Sequence, residues 1–135
     1  MKRHILLAFF APVLLALSAP LFAHHGTNIS YDHGKPMTLK GTVTEFVWKN
    51  PHAQLYFDVK EENGTVVSWG AELNSPGVLA REGWKKTEFK AGDVITITLN
   101  PSKAGTPYGN TVRSKPILVD GKERIAGHAG RTTVD

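Results

Sequence analysis

The sequence predicts a mainly β domain, a five-stranded barrel carrying one short helix. Three observations predict it. Apolar and polar residues alternate in several short runs. Turn residues separate those runs. One segment, "NSPGVLAREGW", replaces the alternation with the start and stop residues of a helix. A period of two marks a strand with one buried face, whereas capping residues around a short apolar group mark a helix.

The first strand starts at Thr38. Leu39, Gly41 and Val43 alternate with Lys40, Thr42 and Thr44, and the phase then slips so that Phe46 and Trp48 become the buried positions. One extra residue near Glu45 explains the slip, because a bulge reverses the facing of every later residue in the strand. Asn50-Pro51 ends the strand. In the second strand Ala53, Leu55, Phe57 and Val59 point one way, and Gln54, Tyr56 and Asp58 the other. Asn63-Gly64 predicts a hairpin turn, because both residues tolerate positive φ. The third strand, Thr65 to Leu73, sets Val67, Trp69, Ala71 and Leu73 on one face. Ser75 then caps a helix, Pro76 occupies its first position and Gly83 its exit. The β-branched run Val94 to Leu99 is a buried fourth strand. Asn100 to Asn110, with two prolines and two glycines, reads as a loop, and Val112 to Val119 as the fifth strand. Three strands, a helix and two strands match an OB-like barrel, with the helix between strands 3 and 4. The alternative is an open β-sandwich.

The flanks predict export. Lys2 and Arg3 precede an uncharged run from Ile5 to Leu17, and Leu21-Phe22-Ala23 supplies a small residue for cleavage. That run is short for a membrane span, which needs ~20 residues. Residues 1–23 are therefore read as a signal peptide, 24–37 as an irregular arm, 38–125 as the barrel and 126–135 as a fraying tail. Processing removes two positive charges, so the formal charge of +4 falls to +2. So small and mixed a balance serves solubility rather than nucleic-acid binding. The chain has no cysteine, so the exported protein lacks disulfides and any metal must be held by imidazole, carboxylate, backbone or a terminal amine.

"GTVTEFVWKNPHAQLYFDV", "WGAELNSPGVLAREGW" and "KAGDVITITLNPSKAGTPYG" together resemble a family of small secreted bacterial proteins known only as a domain of unknown function. The shared features are a signal peptide, a His-rich mature start, Asn-Pro-His after the first strand and a Ser-Pro…Gly-Trp helix. The resemblance spans most of residues 24–121. It implies an envelope location and one compact β domain, and brings no activity with it.

Five histidines remain after processing: His24, His25, His33, His52 and His128. Cleavage after Ala23 would free an amine beside the His24 ring, and the two nitrogens can chelate one ion. A third nitrogen from His25, His33 or His52 completes a nitrogen-rich site that suits Cu(II), and less well Zn(II) or Ni(II). The same pairing occurs in secreted copper proteins as the histidine brace. A mobile polar tail is the plainer account of His24 and His25. For His52, the plainer account is a strand-end imidazole bonded to a loop carbonyl. Asp32 beside His33 is a possible orienting carboxylate. His128 falls in the tail. Among the aromatics, Trp48 and Trp69 are expected in the core, Trp84 against the helix end, and Tyr56 as an exposed ring able to contact a polymer or protein partner. No Gly-x-Ser-x-Gly, phosphate-loop or His-Glu-x-x-His motif occurs, so no enzyme is indicated. The sequence thus points to an exported binding module: in one version for a metal, in the other for an envelope component without metal.

Overall fold

The computed structural model describes residues 30–123. Residues 1–23, read above as a signal peptide, His24, His25 and the C-terminal residues with His128 lie outside the described residues. Five main strands, β1 (Met37–Val47), β2 (Gln54–Lys60), β3 (Val66–Glu72), β4 (Val94–Pro101) and β5 (Tyr108–Thr111), flank one helix, α1 (Pro76–Arg81), between β3 and β4. Neighbouring strands run β1-β2-β3-β5-β4, and β4 returns to pair with β1. That last pairing closes the sheet into a barrel and excludes the open sandwich. β3 and β5 are parallel, a pairing that needs the long crossover supplied by α1 and β4. The other barrel pairs are antiparallel. Two short strands, β6 (Leu118–Val119) and β7 (Lys122–Glu123), continue the sheet from β4.

The alternation read from the sequence fills the barrel. Val43, Leu55, Phe57, Ala71, Ile95, Ile97 and Leu99 are buried inside it. β1 shifts register between Val43, opposite Phe57, and Glu45, opposite Tyr56. This is the expected bulge, and it lets both Val43 and Phe46 pack against the same core. The helix sits as its residues dictate. The Ser75 hydroxyl accepts from the Val78 N–H, Pro76 opens the first turn, and Gly83 leaves with φ of 91°. Leu79 is the helix residue driven into the core, with Phe89 and Leu73 beside it. Trp48, Trp69 and Trp84 are partly buried against that core, as expected for large aromatics in a small domain.

Two expectations change. The fifth barrel strand is Tyr108–Thr111, inside the stretch read as a loop, and not Val112–Val119. Glycine and proline on either side of Tyr108 hid a strand of only four residues. Beyond it, Val112 donates to Thr98 and the chain turns at Lys115, so only Leu118 and Val119 rejoin the sheet. The β2–β3 hairpin also differs. Glu61 C=O accepts from Gly64 N–H, and Gly64 alone in this turn has positive φ. Asn63 instead accepts from the Thr65 N–H through its side chain. This is the three-residue loop with a left-handed glycine rather than the two-residue turn.

Candidate functional site

Strand register assembles the site on the outer face of the barrel. Gln54 of β2 pairs with Glu72 of β3, Glu72 with Asn110 of β5, and Asn110 with Asn100 of β4. A polar row therefore crosses four strands on the side away from the core. One step along the strands, Tyr56 pairs with Gly70, and Gly70 with Tyr108. Gly70 is the floor between the two rings. A Cβ there would lie 2.5–2.6 Å from the Tyr108 ring and 3.3 Å from that of Tyr56. The bare backbone lets the Tyr108 ring cross β3, so that its hydroxyl donates to the side-chain Oε1 of Gln54 on β2.

The arm is tied to this face. Tyr31 forms a bridge with Ser102, Asp32 N–H donates to Pro101 C=O, and Lys103 N–H donates to Ser30 C=O. The Tyr31 ring stacks on Tyr108 with centroids 6.4 Å apart, and only 6% of the residue is exposed. Its hydroxyl donates to Glu72 Oε2 at 2.8 Å. Burial, then the bond and charge of Glu72, hold the Tyr31 hydroxyl well above the ordinary phenol range. Tyr108 is likewise pushed up to about 12, first by burial and then by the Glu72 charge.

His52 stands where Asn50-Pro51 delivers the chain into β2. Its Nδ1 lies 3.1 Å from Leu73 C=O and 3.6 Å from Glu72 Oε1. The carbonyl contact is the hydrogen bond; the carboxylate contact is too long for one. A carbonyl can only accept, so Nδ1 carries a proton, and in the neutral ring the lone pair is on Nε2. That is the arrangement found in metal-bound imidazoles, whose second nitrogen donates to a carbonyl or carboxylate. The side chain is 39% exposed. With Glu72, Leu73, Asn74, Asn110, Thr111 and Arg113 it lines an open cleft of about 250 Å³. Arg113 is held on this rim by Glu82, with Nη2 donating to Oε1 at 3.0 Å.

Of the residues singled out from sequence, His52 and Tyr56 lie on this face, with Tyr56 37% exposed as expected. His33 is exposed on a turn after Tyr31. Its neighbour Asp32 accepts from the Gly34 N–H, so the carboxylate closes that turn rather than orienting the imidazole. Among the described residues no three His, Asp or Glu side chains gather closely enough to hold a metal. Any ion on His52 therefore takes its remaining ligands from elsewhere. Sequence reasoning missed Tyr31, Glu72 and Tyr108. The alternation of β3 already set Glu72 opposite Ala71, which was the one available signal. Nothing local distinguished Tyr31 within a polar tract.

Among the described residues no helix is long and apolar enough to cross a membrane. No curated protein matches the chain. Among solved structures it is similar to a mitochondrial single-stranded DNA-binding protein of S. cerevisiae, with a TM-score of 0.46 and 9% identity over 63% of this chain and 92% of that one. A family model matches residues 12–111, most of the sequence and the whole path from β1 to β5, and the chain belongs to this family of unknown function, DUF6152.

Proposed function

We propose that the protein is an exported periplasmic binding module that holds Cu(II) between its processed N-terminus and the barrel. The His24 amine and ring chelate the ion, His52 is the ligand fixed on the scaffold, and His25 or His33 stands by as a further nitrogen. One observation carries this reading: Leu73 C=O fixes the tautomer of a half-exposed His52 so that Nε2 is available to a ligand. The arm supports it. Tyr31 is fastened beside Glu72, a wall of the His52 cleft, and Ser30 is six positions after His24. An extended chain of that length spans at most about 20 Å. Nitrogen ligands without thiolate suit Cu(II) better than Zn(II) or Ni(II).

Mass spectrometry of the exported protein tests whether His24 is terminal. Cu(II) titration then compares the native protein, a form with one extra N-terminal glycine and His52→Ala. Weaker binding in both altered forms is expected. Equal affinity in all three removes the chelate.

A second reading comes from Tyr56, the exposed ring beside Gly70 on the β2–β3 face. OB barrels bind polymers on this face. The neighbouring side chains are Glu45, Asp58 and Glu72, an acidic set that disfavours nucleic acid and leaves an envelope polymer or protein. Tyr56→Ala should then abolish capture of that component with Cu(II) affinity unchanged; undiminished capture removes this reading.

A further inference from the structure

The lining of the His52 cleft holds donors and acceptors that the protein itself leaves without partners. Leu73 C=O occupies His52 Nδ1, so Nε2 of the neutral ring is an acceptor. Glu72 Oε2 takes the Tyr31 hydroxyl at 2.8 Å, while Oε1 has no hydrogen bond among the described residues. On β5, Asn110 accepts from Asn100 through Oδ1, and its Nδ2 has no partner among the described residues. The Thr111 hydroxyl and the Asn74 amide have none there either. Arg113 gives Nη2 to Glu82, which offsets its charge and leaves Nε and Nη1 unbonded. Tyr56 borders this lining. It follows Gln54, the β2 partner of Glu72, by two residues on the same face, about 7 Å along the strand, and is 37% exposed. We infer that the cleft is a saccharide subsite: it takes one neutral pyranose ring of an envelope glycan whose chain continues over Tyr56.

This inference rests on the polymer reading of the Tyr56 face and names its ligand class. A hydroxyl both donates and accepts, so neighbouring hydroxyls on one sugar ring satisfy acceptors and donors together. Glu72 Oε1 and His52 Nε2 are the acceptors; Asn110 Nδ2 and Arg113 are the donors. A phosphate or carboxylate uses only the donors and meets the Glu72 charge. A folded protein partner fits poorly, because interface cores are apolar and aromatic whereas this lining is polar. The cleft volume of about 250 Å³ also lies below the ~300–1,000 Å³ of drug-sized pockets, which suits one ring of a chain. Tyr56 adds an aromatic surface for the C–H face of the next sugar. Glu45, opposite Tyr56 on β1, and Asp58, two residues on along β2, repel an acidic glycan, so the sugar is neutral.

The test is NMR titration of the isotope-labelled, metal-free exported protein with two neutral trisaccharides, chitotriose and maltotriose. At millimolar sugar, the amide signals of Leu73, Asn74, Asn110 and Thr111 should shift together with that of Tyr56. Asn110→Asp keeps the oxygen that serves Asn100 and replaces the N–H donor by an acceptor, and it should weaken binding roughly tenfold. Tyr56→Ala should weaken binding severalfold while the cleft signals still shift. The map on the native protein decides the matter should Asn110→Asp fail to fold. If neither trisaccharide moves the cleft signals, the inference is overturned, and capture of an envelope protein would then assign the Tyr56 face to a protein partner. If the shifts are confined to Tyr56 and its strand neighbours and Asn110→Asp binds as the native protein does, the polymer reading stands and the cleft is not its subsite. If Tyr56→Ala captures its envelope component undiminished, the polymer reading falls and the inference with it.

Discussion

Gly70 shows what one missing side chain does. Two tyrosine rings, from β2 and β5, lie over its α-carbon, and the Tyr108 hydroxyl reaches across it to Gln54. Gly70→Ala must push the Tyr108 ring off β3, an overpacking change that costs about 1–3 kcal/mol. Urea unfolding should show the lower midpoint, and an unchanged midpoint would mean the ring moves freely. The same two phenols make a pH prediction. Tyr108 is pushed up to about 12 and Tyr31 higher still, while a phenol in the unfolded chain ionises near 10. Between those values the folded protein binds more protons than the unfolded one. Stability is therefore full below pH 10 and falls as pH rises above it. An alkaline titration followed by tyrosinate absorbance should show late, cooperative ionisation that coincides with unfolding. Early ionisation of all three tyrosines in a folded protein would argue against the burial of this pair.

The elements carry their own tests, and they show where the sequence was readable. The bulge of β1 was legible because burial demanded it: Val43 and Phe46 cannot both face inward on an unbroken strand. Deleting Thr44 should remove the bulge and leave Val43 and Phe46 two positions apart, both still facing inward on a regular strand; a large rise in binding of a dye for exposed apolar surface would contradict this. The helix was legible from Ser75, Pro76 and Gly83, each in the position its backbone preference requires. Ser75→Ala should cost about 1 kcal/mol, the usual loss of an N-cap, read as a small drop in melting temperature. β5 was not legible. Four residues give too few alternations to register, and its pairing with β3 is decided by barrel closure rather than by local preference. His52 was legible as a candidate, since Pro51 and Ala53 bracket it at the strand entrance. Its tautomer was not, because the Leu73 carbonyl comes from another strand end twenty-one residues away. Tyr31 and Glu72 were missed for the same reason: their meaning is a contact over forty-one residues.

At the scale of the whole molecule, barrel closure and arm docking form one arrangement. Pairing of β4 with both β1 and β5 brings Ser102 and Pro101 to the place where Tyr31 is held, and parallel β5 sets Tyr108 and Asn110 beside Glu72. The barrel thereby holds Ser30, Tyr31 and Asp32 beside the face that carries His52. Metal and proton would compete there for the same imidazole lone pair, so Cu(II) affinity should fall in acid. The copper reading stands or falls on whether the processed terminus and His52 share one ion. Substoichiometric Cu(II) added to isotope-labelled mature protein, followed by amide and imidazole NMR signals, is the sharpest check. Paramagnetic broadening should remove the His52 ring signals and those of Leu73 and Asn74 together with those of His24 and His25. Broadening confined to the arm, with the His52 ring still sharp, would mean that the barrel holds no part of the ion.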